Sequence, residues 1–335
     1  MTISRRIILG TSISLPLVSI GRATHATIGP RQSFRIVMLL PYGWTDAASG
    51  FRDYLAQRGI MAELIRRDAG GDLSRIAGFV QEINSSPPDL VYISGGAGAL
   101  EALGTYDAID PARHITVAPS ILNLVVDPAA YRVVRSLSDP GRDVTGIIHV
   151  APARAQLRCL AAYREFRTVA TLYSRNNPDA DVAVASLRGL LGADGLQLLE
   201  YAAPIDQRDV TDALTTLVTT ARREGADWLY IAPDPWLEAR RDILTNAAFR
   251  AELPSFATTE PFLADAAALV GLVCHRQTAG ARAGRLAEQI LIEGRRASTL
   301  PFTRPDKFAV VIRMETARTL EFYPPMSLLR YADAK

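Results

Sequence analysis

Lysine is nearly absent from this sequence. Of 37 basic residues only Lys307 and Lys335 are lysines, and the other 35 are arginines. That excludes chemistry needing a phosphate-gripping or Schiff-base lysine within the fold, unless Lys307 supplies it. Cysteine is scarce too, with Cys159 and Cys274 alone and no C-x-x-C pair. Both lie in apolar contexts, so they read as small buried hydrophobes, with a disulfide in an oxidising compartment as the alternative. Of the four histidines, His114, His149 and His275 adjoin predicted strand ends, where a hydrogen-bonded structural role is the expectation. No G-x-S-x-G, H-E-x-x-H or G-x-x-x-x-G-K motif occurs, so neither an enzyme nor a bound cofactor or metal is expected. No run of 18 apolar residues is present, and stable membrane insertion of the mature chain is not expected.

The charge is also small. The net value of +2 is 37 basic minus 35 acidic residues, and Arg5, Arg6 and Arg22 contribute +3 within the first 26 positions. Without that segment the chain carries −1, which gives no basic field to hold nucleic acid. The segment itself reads as an export signal over residues 1–26. A basic start precedes an apolar stretch from Ile7 to Ile20, with Thr24 and Ala26 placed for cleavage after Ala26. Those 14 residues reach about 21 Å as a helix, short of the roughly 30 Å membrane core. Ser4-Arg5-Arg6-Ile7-Ile8-Leu9 is similar to a twin-arginine signal, with the Sec route as the alternative. The expected location is the periplasm.

Hydrophobic residues make up 48% of the chain and charged ones 21%, a globular mix that excludes disorder. Strand and helix patterns alternate. Apolar runs at Phe34 to Leu40, Met61 to Ile65, Asp89 to Ser94, Ile115 to Ala118 and Val144 to Val150 predict one set of strands. A second set follows at Arg167 to Tyr173, Leu196 to Tyr201, Trp228 to Ala232, Leu269 to Cys274 and Phe308 to Arg313. Helices are predicted after Thr45 and Asp72 and over Val182 to Leu191, Val210 to Arg223, Trp236 to Arg250 and Ala281 to Ile292. Two such series predict an α/β fold of two doubly wound parallel-sheet lobes.

In open parallel sheets, ligands bind beyond the carboxyl ends of the strands. The candidate ligand-binding residues are therefore those in the loops there: Tyr42, Trp44, Ser94, Gly95, Gly96, Ala97, Ser120, Arg175, Asn176, Asn177, Asp234 and Glu260. The turn Gly95-Gly96-Ala97-Gly98 falls short of a dinucleotide fingerprint because Glu101 stands where the third glycine belongs. Its exposed N–H groups predict either a seat for a small carboxylate or only a tight turn. Arg175 is expected to hold that carboxylate from the other lobe. Asp234 or Glu260 would receive an amine, whereas Asn177 and Asp234, each before a proline, are equally suited to cap helices. Tyr42 and Trp44 read as ligand-stacking or lobe-packing aromatics.

Several motifs carry a resemblance. Asp127-Pro128, Ser136-Leu137 and Pro140-Gly141-Arg142-Asp143-Val144-Thr145-Gly146 come first, then Ile290-Leu291-Ile292-Glu293-Gly294 and Leu300-Pro301. Pro305-Asp306-Lys307-Phe308, Val311-Ile312-Arg313-Met314-Glu315-Thr316-Ala317 and the tail Pro325 to Asp333 complete them. In order and spacing they resemble the ABC-transporter substrate-binding proteins of the tryptophan/tyrosine type. The chain departs from that pattern at Arg313, Glu321, Tyr42-Gly43-Trp44 and Ala268 to Val273. The resemblance implies a type I periplasmic-binding-protein-like fold with three hinge crossovers, near 145–148, 275–277 and 301–306. Residues 34–145 plus 276–302 would form one lobe, and 146–275 plus 303–335 the other. It further implies a monomer that captures a small-molecule solute, an amino acid or an aromatic or carboxylic acid, for an ABC permease. A soluble receptor for a membrane sensor kinase remains open, as does a nucleotide-dependent enzyme.

Overall fold

The computed structural model describes residues 33–203, 205, 209–264 and 266–334; the expected export signal lies outside them. Among the described residues no helix is long and apolar enough to cross a membrane.

The chain first builds β1 (Phe34–Leu40), α1 (Asp46–Gln57), β2 (Ala62–Asp68), α2 (Ile76–Ser85), β3 (Leu90–Ser94), α3 (Gly96–Leu103), β4 (Ser120–Val125) and β5 (Val144–Ile148). These strands make a parallel sheet in the order β2-β1-β3-β4-β5. Strands β3, β4 and β5 are buried along their whole length, as continuous apolar runs require when helices cover both faces. The helix starts are encoded locally: Thr45 accepts a hydrogen bond from Ala48 N, and Asp72 from Ser74 N.

A second series follows: α4 (Ala153–Tyr163), β6 (Thr168–Tyr173), α5 (Pro178–Ala193), β7 (Gln197–Ala202), α6 (Val210–Arg223), β8 (Trp228–Ile231), α7 (Pro235–Glu238), α8 (Arg241–Arg250), β9 (Ser255–Ala257), α9 (Pro261–Ala264) and β10 (Val270–Val273). Next, α10 (Arg276–Leu291) returns to the first sheet, where it packs against α1. Contact there is close: a Cβ on Gly280 would stand 1.9 Å from Ala47 O, so only glycine lets the helices meet. The chain ends with β11 (Ala309–Ile312), α11 (Met314–Thr319), α12 (Met326–Leu329) and β12 (Ala332–Ala334). The second sheet runs β12-β11-β10-β9-β8-β6-β7 and is parallel except for the antiparallel pair β10–β11.

Four apolar clusters cover the two faces of each sheet. Cys159 and Cys274 lie unpaired in different clusters, and burial pushes both thiols up to about 11. The alternative of a disulfide between them is not realised.

Three differences from the sequence reading have physical causes. The fourth strand is Ser120–Val125, not Ile115 to Ala118, because Pro119 has no N–H to give a ladder and the strand starts after it. The helix expected from Trp236 to Arg250 is broken between Glu238 and Arg241. And α10 starts at Arg276, before Ala281, because Glu260 accepts the Arg276 N–H from a distant loop. Since β5 stays in the first sheet through Ile148, the chain passes between sheets at 149–152, 274–275 and 303–308.

Candidate functional site

A cleft of about 950 Å³ opens at the carboxyl ends of strands from both sheets. The first sheet supplies Tyr42, Gly43, Trp44, Thr45 and Asp46 after β1, Asp68, Gly70, Gly71 and Asp72 around the end of β2, and Ser94 and Gly95 after β3. From the second come Asp179 in the first turn of α5, Pro233 to Trp236 and Glu238 to Arg241, and Thr259 and Pro261. His149 lines it from one passage between the sheets, and Arg276 from the start of α10, just after another. A larger groove of about 1130 Å³ lies at the opposite, amino ends of β6 and β7, lined by Arg154, Arg158, Glu165, Arg167, Asp194 and Asp227 among others. Parallel sheets place ligands at carboxyl ends, so the interlobe cleft is the candidate site.

Its aromatic walls are Tyr42 and Trp44 on one side and Trp236 on the other. Trp44 donates its indole N–H to Ser49 Oγ at 2.8 Å, and the Arg52 and Arg66 guanidinium groups stand 5.9 and 6.0 Å from its ring. Arg240 lies 3.9 Å over the Trp236 ring and donates to that residue's carbonyl. Behind them, Arg276 pairs with Glu238, whose other oxygen accepts from the Thr259 hydroxyl at 2.7 Å. His149 is buried with Nδ1 3.2 Å from Val125 O. Burial and the Arg276 charge push its imidazole down to about 4, so it is neutral at pH 7.

The expected site residues fall into distinct groups. Tyr42, Trp44, Ser94, Gly95 and Asp234 line the cleft. Asp234 is fully buried and saturated: Oδ2 accepts from Ser174 N at 2.6 Å and Ser174 Oγ at 2.5 Å, and Oδ1 from Trp236 N and Leu237 N. It caps α7. Asn177 caps α5 in the same way. Gly96 gives its N–H to Asp179, and Ala97 stands in the first turn of α3 without lining the cleft.

Four more of the expected residues do not line the cleft. Arg175 and Asn176 are exposed and do not line the cleft, because Asn176 takes a left-handed φ of 64° at that turn. Ser120 is buried at the beginning of β4, at the opposite edge of the sheet from the ligand end. Glu260 holds the start of α10 instead of facing the cleft, binding His275 Nδ1 at 2.6 Å and Arg276 N at 2.8 Å.

Sequence reasoning passed over Trp236, Arg240, Glu238, Arg276 and Asp179. Trp236 had a signal, since it directly follows Asp234-Pro235 at a strand end. Asp179 had none, because an acid in a helix's first turn is ordinary.

The model of the family described as ABC transporter substrate binding protein matches residues 39–335. The chain belongs to that family. A tyrosine-binding protein of Clostridioides difficile (strain R20291) is 22% identical over 257 residues, 76% of this chain and 69% of that one. Among solved structures, the ABC domain in complex with L-Trp from Streptococcus pneumoniae superposes with a TM-score of 0.75 at 20% identity, covering 90% of this chain and 99% of that one. A conserved domain protein from Vibrio cholerae O1 biovar El Tor gives 0.77 at 17%, covering 91% and 99%. The fold is the type I periplasmic-binding-protein-like one that the sequence motifs implied.

Proposed function

We propose that this substrate-binding protein captures a small aromatic solute between its two lobes, outside the cytoplasmic membrane, and delivers it to an ABC importer. One observation carries the reading: Tyr42, Trp44 and Trp236 converge from both sheets on one cleft, beside charged groups of both signs. Aromatic walls bind a planar solute through large, rigid contact area. The names of the relatives, one tyrosine-binding and one solved with L-Trp, support the same class. A solute touching both walls favours closure about the three passages between the sheets.

Calorimetry and thermal shift with aromatic amino acids, amines and acids test this. A true solute at 100 times its Kd stabilises the fold by about 2.7 kcal/mol. Trp44→Ala and Trp236→Ala should each weaken binding by about 0.5–1.5 kcal/mol. If no aromatic solute stabilises the protein, the reading fails. The export route has its own test: with Arg5 and Arg6 both changed to Lys, precursor should stay in the cytoplasm.

A further inference from the structure

The amide end of α3 is already filled by a carboxylate of this chain. Asp179, on α5 of the second lobe, accepts from Gly96 N at 2.6 Å, Val126 N at 2.8 Å and the Tyr131 hydroxyl at 3.4 Å. All three donors belong to the first lobe, and the carboxylate is buried between the two.

The seat is built from both sides. Gly95, the residue before α3, brings no side-chain cap, so the helix amides need an outside acceptor. A Cβ on Gly96 would stand 2.7 Å from each Asp179 oxygen, so only glycine admits the carboxylate. At the end of β4, Leu124 holds a left-handed φ of 57° and the register with β5 shifts between Leu122 and Val125. Immediately beyond that bulge, the Val126 N–H points into the same carboxylate. On the other side, Asn177 caps α5 and Pro178 opens it, fixing Asp179 in the first turn.

We propose that Asp179 is a specificity-determining residue, an internal stand-in for a solute carboxylate. It ties the two lobes together before any solute arrives and bars the α3 seat to a solute's own carboxylate. The adjoining wall favours the same outcome: besides burial, the charges of Asp234 and Asp179 raise the Tyr42 hydroxyl's pKa, a sign of negative potential there. An aromatic ammonium is favoured beside Tyr42, and a carboxylate on the solute adds little.

Solution scattering on the ligand-free protein tests the tie. Wild type should be compact, and Asp179→Ala should shift to a larger radius of gyration. Asp179→Asn, which keeps one acceptor oxygen, should shift less and serves if the alanine variant does not fold. Calorimetry with tryptophan and tryptamine tests the selectivity, which rests on the aromatic reading above. Wild type should bind the two within about threefold, and Asp179→Ala should prefer tryptophan by about tenfold as its carboxylate takes the vacated amides. An unchanged radius in the variants overturns the tie. A tenfold preference for tryptophan already present in wild type overturns the bar. If neither compound binds, the aromatic reading fails, while the scattering still decides whether Asp179 holds the lobes.

Discussion

Three of the helices that begin at the cleft, α3, α5 and α7, begin in two ways. α5 and α7 each open behind a residue that closes its own amides, Asn177 and Asp234, followed in both cases by proline. α3 opens behind Gly95 with no side-chain cap, and its first amide is met by a residue 83 positions away. In sequence, all three look like strand-to-helix turns with N–H groups to offer. A cap written beside the helix closes the offer locally, whereas a glycine start leaves it to tertiary structure. Of these three, only α3 therefore had a seat to give, and Asp179 has taken it, as Glu260 has taken the start of α10.

The largest expected effect separates the two self-capped starts. Asp234 is fully buried and joins the loop after β6 to α7, so Asp234→Ala strands the N–H groups of Ser174, Trp236 and Leu237, with those of Ser174 and Leu237 in buried bonds. Adding a lost cap to those unmet donors gives about 3 kcal/mol or more. Asn177→Ala removes a cap alone and should cost about 1 kcal/mol. Urea unfolding of both variants checks this, and equal costs would make Asp234 no more than a cap.

Titration sharpens the contrast next. Burial, the dominant cause, pushes Asp179 up to about 6 from 3.8, against the lowering pull of the Val126, Gly96 and Tyr131 bonds; the Asp234 charge adds to the rise. The titratable groups around it are Tyr131 after β4, with Asp127 acting on it, Tyr42 after β1, and Asp234 before α7. A raised carboxyl pKa means the folded chain holds the proton more tightly than the unfolded one. This contribution is therefore full below about pH 3.8 and is lost as pH rises through 6. Its size is about 2–3 kcal/mol. Asp72, Glu82 and Glu288 are shifted downward and so oppose it in the whole-protein curve. The difference isolates it: stability of wild type minus Asp179→Asn should fall by about 2–3 kcal/mol from pH 4 to 7. A flat difference would mean that Asp179 titrates in the folded protein as it does in the unfolded chain.

What the sequence discloses follows the range of each signal. The apolar runs of β1, β3 and β6 and the caps Thr45, Asp72, Asn177 and Asp234 were legible because each depends on neighbours a few residues away. The cleft loops were legible by topology, since strand ends place them. The start of α10 was not, because its acceptor, Glu260, comes from another loop. Fourth-strand placement turned on one missing N–H at Pro119, which an apolar pattern does not weigh. Asp179 was invisible because its partners, Gly96, Val126 and Tyr131, all lie on the first lobe and reach it only where the two lobes meet.

The smallest effect is expected at Arg175. Its loop carried the expectation of a cation facing the α3 seat across the cleft. In the structure Asn176 turns at a φ of 64°, and Arg175 is exposed, beside a helix start that Asn177 already caps. A cation near a helix amino end is, if anything, slightly unfavourable, by a few tenths of a kcal/mol. Arg175→Ala should therefore stay within about 0.5 kcal/mol of wild-type stability. Its solute affinity should stay within about twofold, less than 0.5 kcal/mol. Calorimetry on the folded variant decides the point. A tenfold loss would place the guanidinium on the solute, which the present turn does not allow. The loop before α5 would then have to swing inward on binding, and the start of α5, not that of α3, would be the end that meets the ligand.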